Sequence, residues 1–350
     1  MLAIFMTPVN NYTIRFLNIT SAICPSEGNG IRQTQGQDFI VIVKSGVYNF
    51  RSRRQIRVLF KDMIQEGLAL GSHLTLVFSV GLPRRNKSNF FERDGFNISL
   101  PGRAGEALRN AQPIYADIMH ALRKETEIHD DLLVGDFEDT YYNLTLKMHY
   151  TFTWAARFCR PEKSPHQNSP LFIFLDDDFS FNVANLLRVL KSTTSQVPPK
   201  RVLIGNNRRY SDTIRSAAGV AYRKWALSKR EMPSPQLPSH CNGAFYILDY
   251  TSLEEIAISM YFTKTIPLDD VWLGLVMTRL GLEFNKLHPN IYNPLTSADA
   301  NTAIFASLEV FFNRRHKKRL LEPLPVRRRN KNLPKTTLST ETSSLHWSTL

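Results

Sequence analysis

The sequence predicts an α/β fold, a mostly parallel sheet flanked by helices. Two observations carry this reading. Short apolar runs rich in β-branched residues recur along the chain, and helical patterns lie between them. Strand and helix alternating in this way build a parallel sheet covered by helices. With 350 residues, 43% of them hydrophobic, the chain is also long enough to bury a sizeable core.

The elements follow in order. Residues 1–37 are polar and irregular, with Gly28, Gly30 and Gly36 among Asn and Gln, and read as a leader or stem without a core of its own. Near Asp38 the folded part starts with DFIVIVKS (38–45), a basic helical pattern from Arg53 to Glu66, and HLTLVFSVG (73–81). The alternation continues through DLLVGDF (131–137), a long helical stretch from Tyr141 to Phe158, LFIFL (171–175), a helix from Asn182 to Lys191, and RVLIGN (201–206). A loop with Pro233, Pro235 and Pro238 precedes GAFYIL (243–248). Thr251 then opens a helix with Glu254 three residues on, a capping-box spacing. DDVWLGLVMTRLG (269–281) forms another helix after Pro267. The organisation expected is a leader over 1–37, one catalytic-size domain over 38–312, and a basic, disordered tail over 313–350.

The net charge of +13 is concentrated in that tail. Residues 313–350 hold ten Lys or Arg against two Glu, which leaves +5 for the rest. A modestly basic core suits an anionic small ligand as well as a polyanion, so charge alone does not select nucleic acid. The three cysteines, Cys24, Cys159 and Cys241, exclude a disulfide-dense scaffold and a zinc cluster of paired CxxC elements. No run approaches the ~20 apolar residues of a spanning helix, and the opening MLAIFMTPVNNYTIRF reads as neither an anchor nor a signal peptide. Sequons at Asn11, Asn18, Asn86, Asn97 and Asn143 hint at a secretory route.

The sharpest chemical signal is Asp176, Asp177 and Asp178, placed directly after LFIFL. Three carboxylates at the carboxyl end of a buried strand repel one another unless a cation is present, and oxygen-only ligands suit Mg²⁺ or Mn²⁺. Alternate residues of an extended segment share a face, which puts Asp176 and Asp178 together and Asp177 opposite. The plainer reading is a solvated turn or a helix cap. Asp269 and Asp270 open an otherwise apolar helix, where acidic residues favour the dipole. Beside a metal site, one such carboxylate could instead take a proton from an attacking hydroxyl. No GxxxxGK[ST], helix-opening GxGxxG or GxSxG is present, so neither a P-loop enzyme nor a dinucleotide dehydrogenase is supported.

Several segments, in order, carry a family resemblance. RRQIRVLF (53–60), DLLVGDFEDTYYNLTLK (131–147), FLDDDF (174–179), RKW (223–225), CNGAFYIL (241–248) and PLDDVWLGLVMTRLGL (267–282) resemble the motifs of the beta-1,3-glycosyltransferases, which move galactose or N-acetylglucosamine from a UDP-sugar. The resemblance covers about 38–282. It implies a GT-A fold, a Rossmann-like sheet using Mn²⁺, and inversion at the anomeric carbon in forming a beta-1,3 linkage. Asp176 and Asp178 would hold the metal, and Asp270 would be the base. Arg57, Asp136, Lys147 and Asp177 would line the donor side, while Trp225, Gly243 and Asp269 would shape the sugar or acceptor pocket. For Arg57 and Lys147 the plainer alternative is helix-surface salt bridging, and for Trp225 ordinary core.

The donor implied is UDP-galactose or UDP-N-acetylglucosamine, with the acceptor a glycan on a glycoprotein or glycolipid. Nucleic acid is not expected as a partner. The triple Asp and the GAF spelling lean towards the brainiac-like N-acetylglucosaminyl branch. Cys159 and Cys241 match family cysteines and would pair in an oxidising lumen, leaving Cys24 over; Asn143 would be a glycosylation site. A Golgi membrane location is implied, although no spanning helix is found in this chain. Departures include Leu59-Phe60 for Thr-Trp, Asp130 for a Gly, and Ser239-His240 for Pro-Tyr. The alternative function is a non-catalytic UDP-sugar-binding or glycan-binding relative.

Overall fold

The central strand shows why its middle, Phe39 to Val43, is apolar at every position. In a computed structural model, which describes residues 7–20, 23–24, 37–85, 88–100, 105–106, 108, 115–161, 169–194, 201–215, 223–286 and 304–311, strand β2 (Gln37–Lys44) is covered on both faces. Phe39, Val41 and Val43 join one core with Ile56, Leu59, Phe60 and Met63 of helix α1 (Phe50–Ala69). Ile40 and Ile42 point into the other with Met148, Phe152 and Trp154 of α3 (Leu144–Phe158). Across 39–43, period-two alternation between two covered faces leaves no position for a polar side chain.

The remaining strands are β1 (Phe16–Asn18), β3 (Ser72–Leu82), β4 (Phe90–Arg93), β5 (Phe96–Ser99), β6 (Leu132–Glu138), β7 (Leu171–Asp176), β8 (Phe179–Phe181), β9 (Leu203–Arg208), β10 (His240–Asp249), β11 (Asn285–Lys286) and β12 (Phe305–Ser307). The other long helices are α2 (Tyr115–His129), α4 (Val183–Thr194), α5 (Tyr250–Met260) and α6 (Asp269–Arg279). The main sheet runs β1-β6-β3-β2-β7-β10-β9-β11. The block β6-β3-β2-β7 is parallel, as is β9-β11. β10 is antiparallel to both neighbours and β1 is antiparallel to β6, so the sheet is mixed with a parallel centre. Residues of α1, α2 and α4 contribute to one core, and those of α3, α5 and α6 to the other.

Local details depart from the sequence reading. The stretch from Tyr141 begins as a 3₁₀ turn (Tyr141–Asn143) before α3. Helix α5 is capped by Asp249 rather than Thr251, the Asp249 carboxylate accepting from the Ser252 N–H at 2.7 Å. Asp130, which stands where the resembled motif has Gly, adopts a left-handed φ of 45° between α2 and β6.

The N-terminal segment is joined to the domain. The Asn10 amide donates to Met260 O and Thr263 O at 2.7 Å each, β1 adds an edge strand on β6, and Ile23 is buried. Within the leader, residues 7–20 and 23–24 therefore share the domain's core. The basic tail, 313–350, lies outside the described residues. No described helix is long and apolar enough to cross a membrane.

Candidate active site

The candidate site lies where the strand order reverses. From β2 the chain proceeds outward through β3 to β6, then returns to place β7 on the other side of β2. The crevice beyond the carboxyl ends at such a reversal is where an open α/β sheet offers room for a ligand. The register pairs Lys44 with Asp176 at that edge.

Lys44 organises the crevice. Its buried ammonium donates to Gly243 O at 2.9 Å and Asp269 Oδ2 at 3.1 Å, and lies 3.1 Å from Asp176 Oδ1. Burial by itself would lower the Lys44 pKa, but the charges of Asp176 and Asp269 hold it well above its ordinary value. Sequence reasoning passed over this residue. The available signal was a charge closing the apolar run FIVIVK.

Asp176 ends β7, and Asp177 and Asp178 form the turn that follows, so strand alternation does not govern the triplet. Asp177 is buried, and its Oδ2 accepts from Ser45 Oγ (2.7 Å), Asn49 Nδ2 (2.9 Å) and the Gly46 N–H (3.3 Å). It fastens the β2–α1 loop. Asp178 is exposed at the mouth. The Asp176 side chain keeps 39% of its accessible surface. Burial, then Asp269 and Asp178, raise its pKa to about 6 against the lowering pull of Lys44.

Asp269 and Asp270 arrive from the first turn of α6. Burial, then the neighbouring Asp269 charge, raises the Asp270 carboxyl above its ordinary range, while His240 pulls it down. Gly243 on β10 leaves the space between these groups: a Cβ there would stand 3.4 Å from Asp270 Cβ, 3.5 Å from Lys44 Nζ and 3.8 Å from Asp269 Oδ2. Asp176, Asp269, Asp270, Gly243 and Lys44 thus form one cluster. Among the described residues no set of three or more His, Cys, Asp or Glu side chains forms a ready metal cage. Asp176 and Asp178 offer carboxylate oxygens alone, a set that fits Mg²⁺ or Mn²⁺ completed by water and phosphate oxygens.

Trp225 sits half-exposed, its Nε1 donating to the Tyr141 hydroxyl at 2.9 Å. Tyr141 lies within electrostatic reach of Asp269 and Asp270. Trp225 is a wall residue rather than ordinary core.

Three of the expected donor-side residues already have partners within the fold. Arg57 clamps Asp131 through Nε (2.6 Å) and Nη2 (2.7 Å) and reaches Glu125 through Nη1 (2.7 Å). Glu125 also holds Arg53, which donates to Ser45 Oγ and Gly46 O. Arg57 is therefore part of a brace behind the Ser45–Asn49 loop, because its guanidinium already faces two carboxylates. Lys147 is buried, donating to Ser45 O and paired with Asp139 at 2.8 Å, so it ties two loops beneath the crevice and is no surface salt bridge. Asp136 faces Arg15 at 3.7 Å near the sheet edge, three strands from Asp176.

The disulfide expectation is corrected. The disulfide joins Cys24 to Cys159, whereas Cys241 is a free, buried thiol. The packed N-terminal segment brings Cys24 to the end of α3, while Cys241 lies inside β10 with its sulfur directed at Asn242 O and Phe245 O. The Asn143 amide donates to Glu138 O at 2.8 Å in the turn before α3.

A galactosyltransferase family model matches residues 113–288, half of the chain. The chain belongs to the galactosyltransferase family. The matched region contains the triplet, Trp225, Gly243, Asp269 and Asp270 but neither Lys44 nor Arg57. A Bos taurus relative named UDP-GlcNAc:betaGal beta-1,3-N-acetylglucosaminyltransferase 9 is 28% identical over 259 residues, 73% of this chain and 55% of the relative. Mus musculus beta-1,3-galactosyltransferase 1 is 30% identical over 178 residues, 50% of this chain and 48% of the relative. The chain spans about half the length of these curated relatives. Among solved structures, mouse xyloside xylosyltransferase 1 in its apo form aligns with 72% of this chain and 86% of its own at 10% identity, with a TM-score of 0.27. The α/β fold of this galactosyltransferase-family chain stands on its own sheet topology.

Proposed function

We propose that this chain is an inverting hexosyltransferase that moves galactose or N-acetylglucosamine from a UDP-sugar to a 3-hydroxyl of an acceptor glycan, forming a beta-1,3 linkage. The observation that carries the reading is the convergence around Lys44. Its ammonium lies 3.1 Å from Asp176 of the metal-type triplet and donates to the carbonyl of Gly243, beside which Asp270, a carboxylate of raised pKa, arrives from a separate segment. The printed names of the relatives, beta-1,3-N-acetylglucosaminyl- and beta-1,3-galactosyltransferase, favour the same linkage.

Each residue then has a role. Asp270 accepts the proton of the attacking acceptor hydroxyl, and its raised pKa strengthens it as a base once ionised. Lys44 holds Asp269 and Asp176 in position, 3.1 Å from each. Asp176 and Asp178 hold Mn²⁺, which when bound neutralises charge on the departing UDP diphosphate. Trp225 offers an apolar face to the C–H side of a sugar ring. The Cys24–Cys159 bridge suits an oxidising secretory compartment, and the Golgi membrane is the location we propose.

The test is UDP release from UDP-galactose and UDP-N-acetylglucosamine with Mn²⁺ and p-nitrophenyl β-galactoside or β-N-acetylglucosaminide. Asp270→Asn should lower kcat by about 10²–10⁴-fold, and Asp178→Asn should abolish the Mn²⁺ response. UDP binding without turnover under every pairing would instead favour the non-catalytic relative.

A further inference from the structure

Beside the carboxylate cluster is a phenol whose surroundings define its hydrogen bonding. The Tyr141 hydroxyl accepts the Trp225 indole N–H at 2.9 Å. Accepting that bond leaves the phenolic proton to be donated elsewhere, and among the described residues no acceptor for it is recorded. The surrounding segment is held at several points. Tyr142 packs edge-on to Tyr141 at 5.5 Å between centroids, and its hydroxyl donates to Lys224 O at 3.3 Å. Arg93 stacks over Tyr142, donates to Ala226 O at 2.6 Å and pairs with Glu231 at 2.8 Å. The Lys224 ammonium lies 4.5 Å from the centre of the Trp225 ring and 5.6 Å from that of Tyr141. The two rings therefore form a fixed corner, with Tyr141 within electrostatic reach of Asp269 and Asp270.

We propose that Tyr141 is an acceptor-binding residue: with its oxygen fixed by the Trp225 indole, it donates its proton to an oxygen of the acceptor sugar that lies against Trp225. This rests on the glycosyltransferase reading above and adds a specificity contact to it. An apolar ring face on Trp225 and one directed donor from Tyr141 define which side of the sugar faces the wall. That orientation presents the reactive hydroxyl to Asp270. Burial, then the charges of Asp269 and Asp270, also raise the Tyr141 pKa, so the phenol remains a donor at neutral pH.

Tyr141→Phe keeps the ring and removes only the hydroxyl. Steady-state UDP release with Mn²⁺, either UDP-sugar and the two p-nitrophenyl glycosides should show acceptor KM raised roughly three- to tenfold, the effect of one lost hydrogen bond. Donor KM and kcat at saturating acceptor should change by less than about twofold, a split that a general loss of structure would not produce. Acceptor KM within twofold of the unaltered chain, or a parallel loss in donor KM, would overturn the inference while leaving the transferase reading intact. No UDP release by the unaltered chain with any pairing would overturn both.

Discussion

The ammonium of Lys44 lies 3.1 Å from Asp269 Oδ2, a contact between residues 225 positions apart that joins the first parallel strand to the start of α6. The same nitrogen lies 3.1 Å from Asp176 and donates to the Gly243 carbonyl. One buried cation thus sets the spacing of three separate parts of the site.

Lys44→Met should therefore behave as more than a surface-charge change. It leaves Asp269 buried without its cation, a change that costs about 3 kcal/mol when one member of a buried pair is removed. Urea unfolding should show a lower midpoint, and adding Asp269→Asn should restore part of the loss. A midpoint unchanged in Lys44→Met would contradict the charge assignment.

Arg57 supplies a contrast. Its guanidinium is shared between Asp131 and Glu125, behind the loop that Asp177 holds. Arg57→Met should reduce stability by about 3 kcal/mol yet leave donor KM within twofold in the folded protein. A selective rise in donor KM without loss of stability would return Arg57 to the donor site.

His149 makes stability depend on pH. It is buried against Tyr12, Tyr261 and Trp272, with Nδ1 2.6 Å from the Tyr12 hydroxyl, and burial lowers its pKa from about 6.5 to about 4. The unfolded chain takes up the proton near its ordinary value, whereas the folded chain resists until about pH 4. Between these values the unfolded state binds more protons, so stability from this group falls as pH falls, by about 3 kcal/mol across the window. Unfolding free energies at pH 7 and pH 5 should differ less in His149→Phe than in the unaltered chain; equal slopes would rule out His149 as the source.

The disulfide assignment is directly measurable. Proteolysis without reduction should release a peptide pair joining Cys24 to Cys159, and the thiol of Cys241 should react only after unfolding. Cys24→Ser should lower stability by about 2–4 kcal/mol. A Cys159–Cys241 peptide would refute the pairing.

Much of the site was legible because its signals are local. The triplet follows a strand whose apolar run marks it as buried, and Asp269 and Asp270 precede an apolar helix, so neighbouring residues reveal both. Trp225 and Gly243 lay in recognisable segments. The roles of Arg57, Lys147 and Asp177 were harder to read: each side chain is defined by partners far along the chain, and an unpaired charge in a motif looks the same as one already bonded.

The sequence by itself determined the alternation of strands and helices, the presence of three carboxylates at a strand end and the acidic opening of α6, since periodicity and adjacency are written along one dimension. Tertiary structure decided which charges meet. Lys44 reached Asp176 through sheet register and Asp269 through the packing of α6 on β10, and Cys24 reached Cys159 because the N-terminal segment lies against the domain. Such pairings depend on how distant segments pack and exclude water, which local residue spacing does not specify.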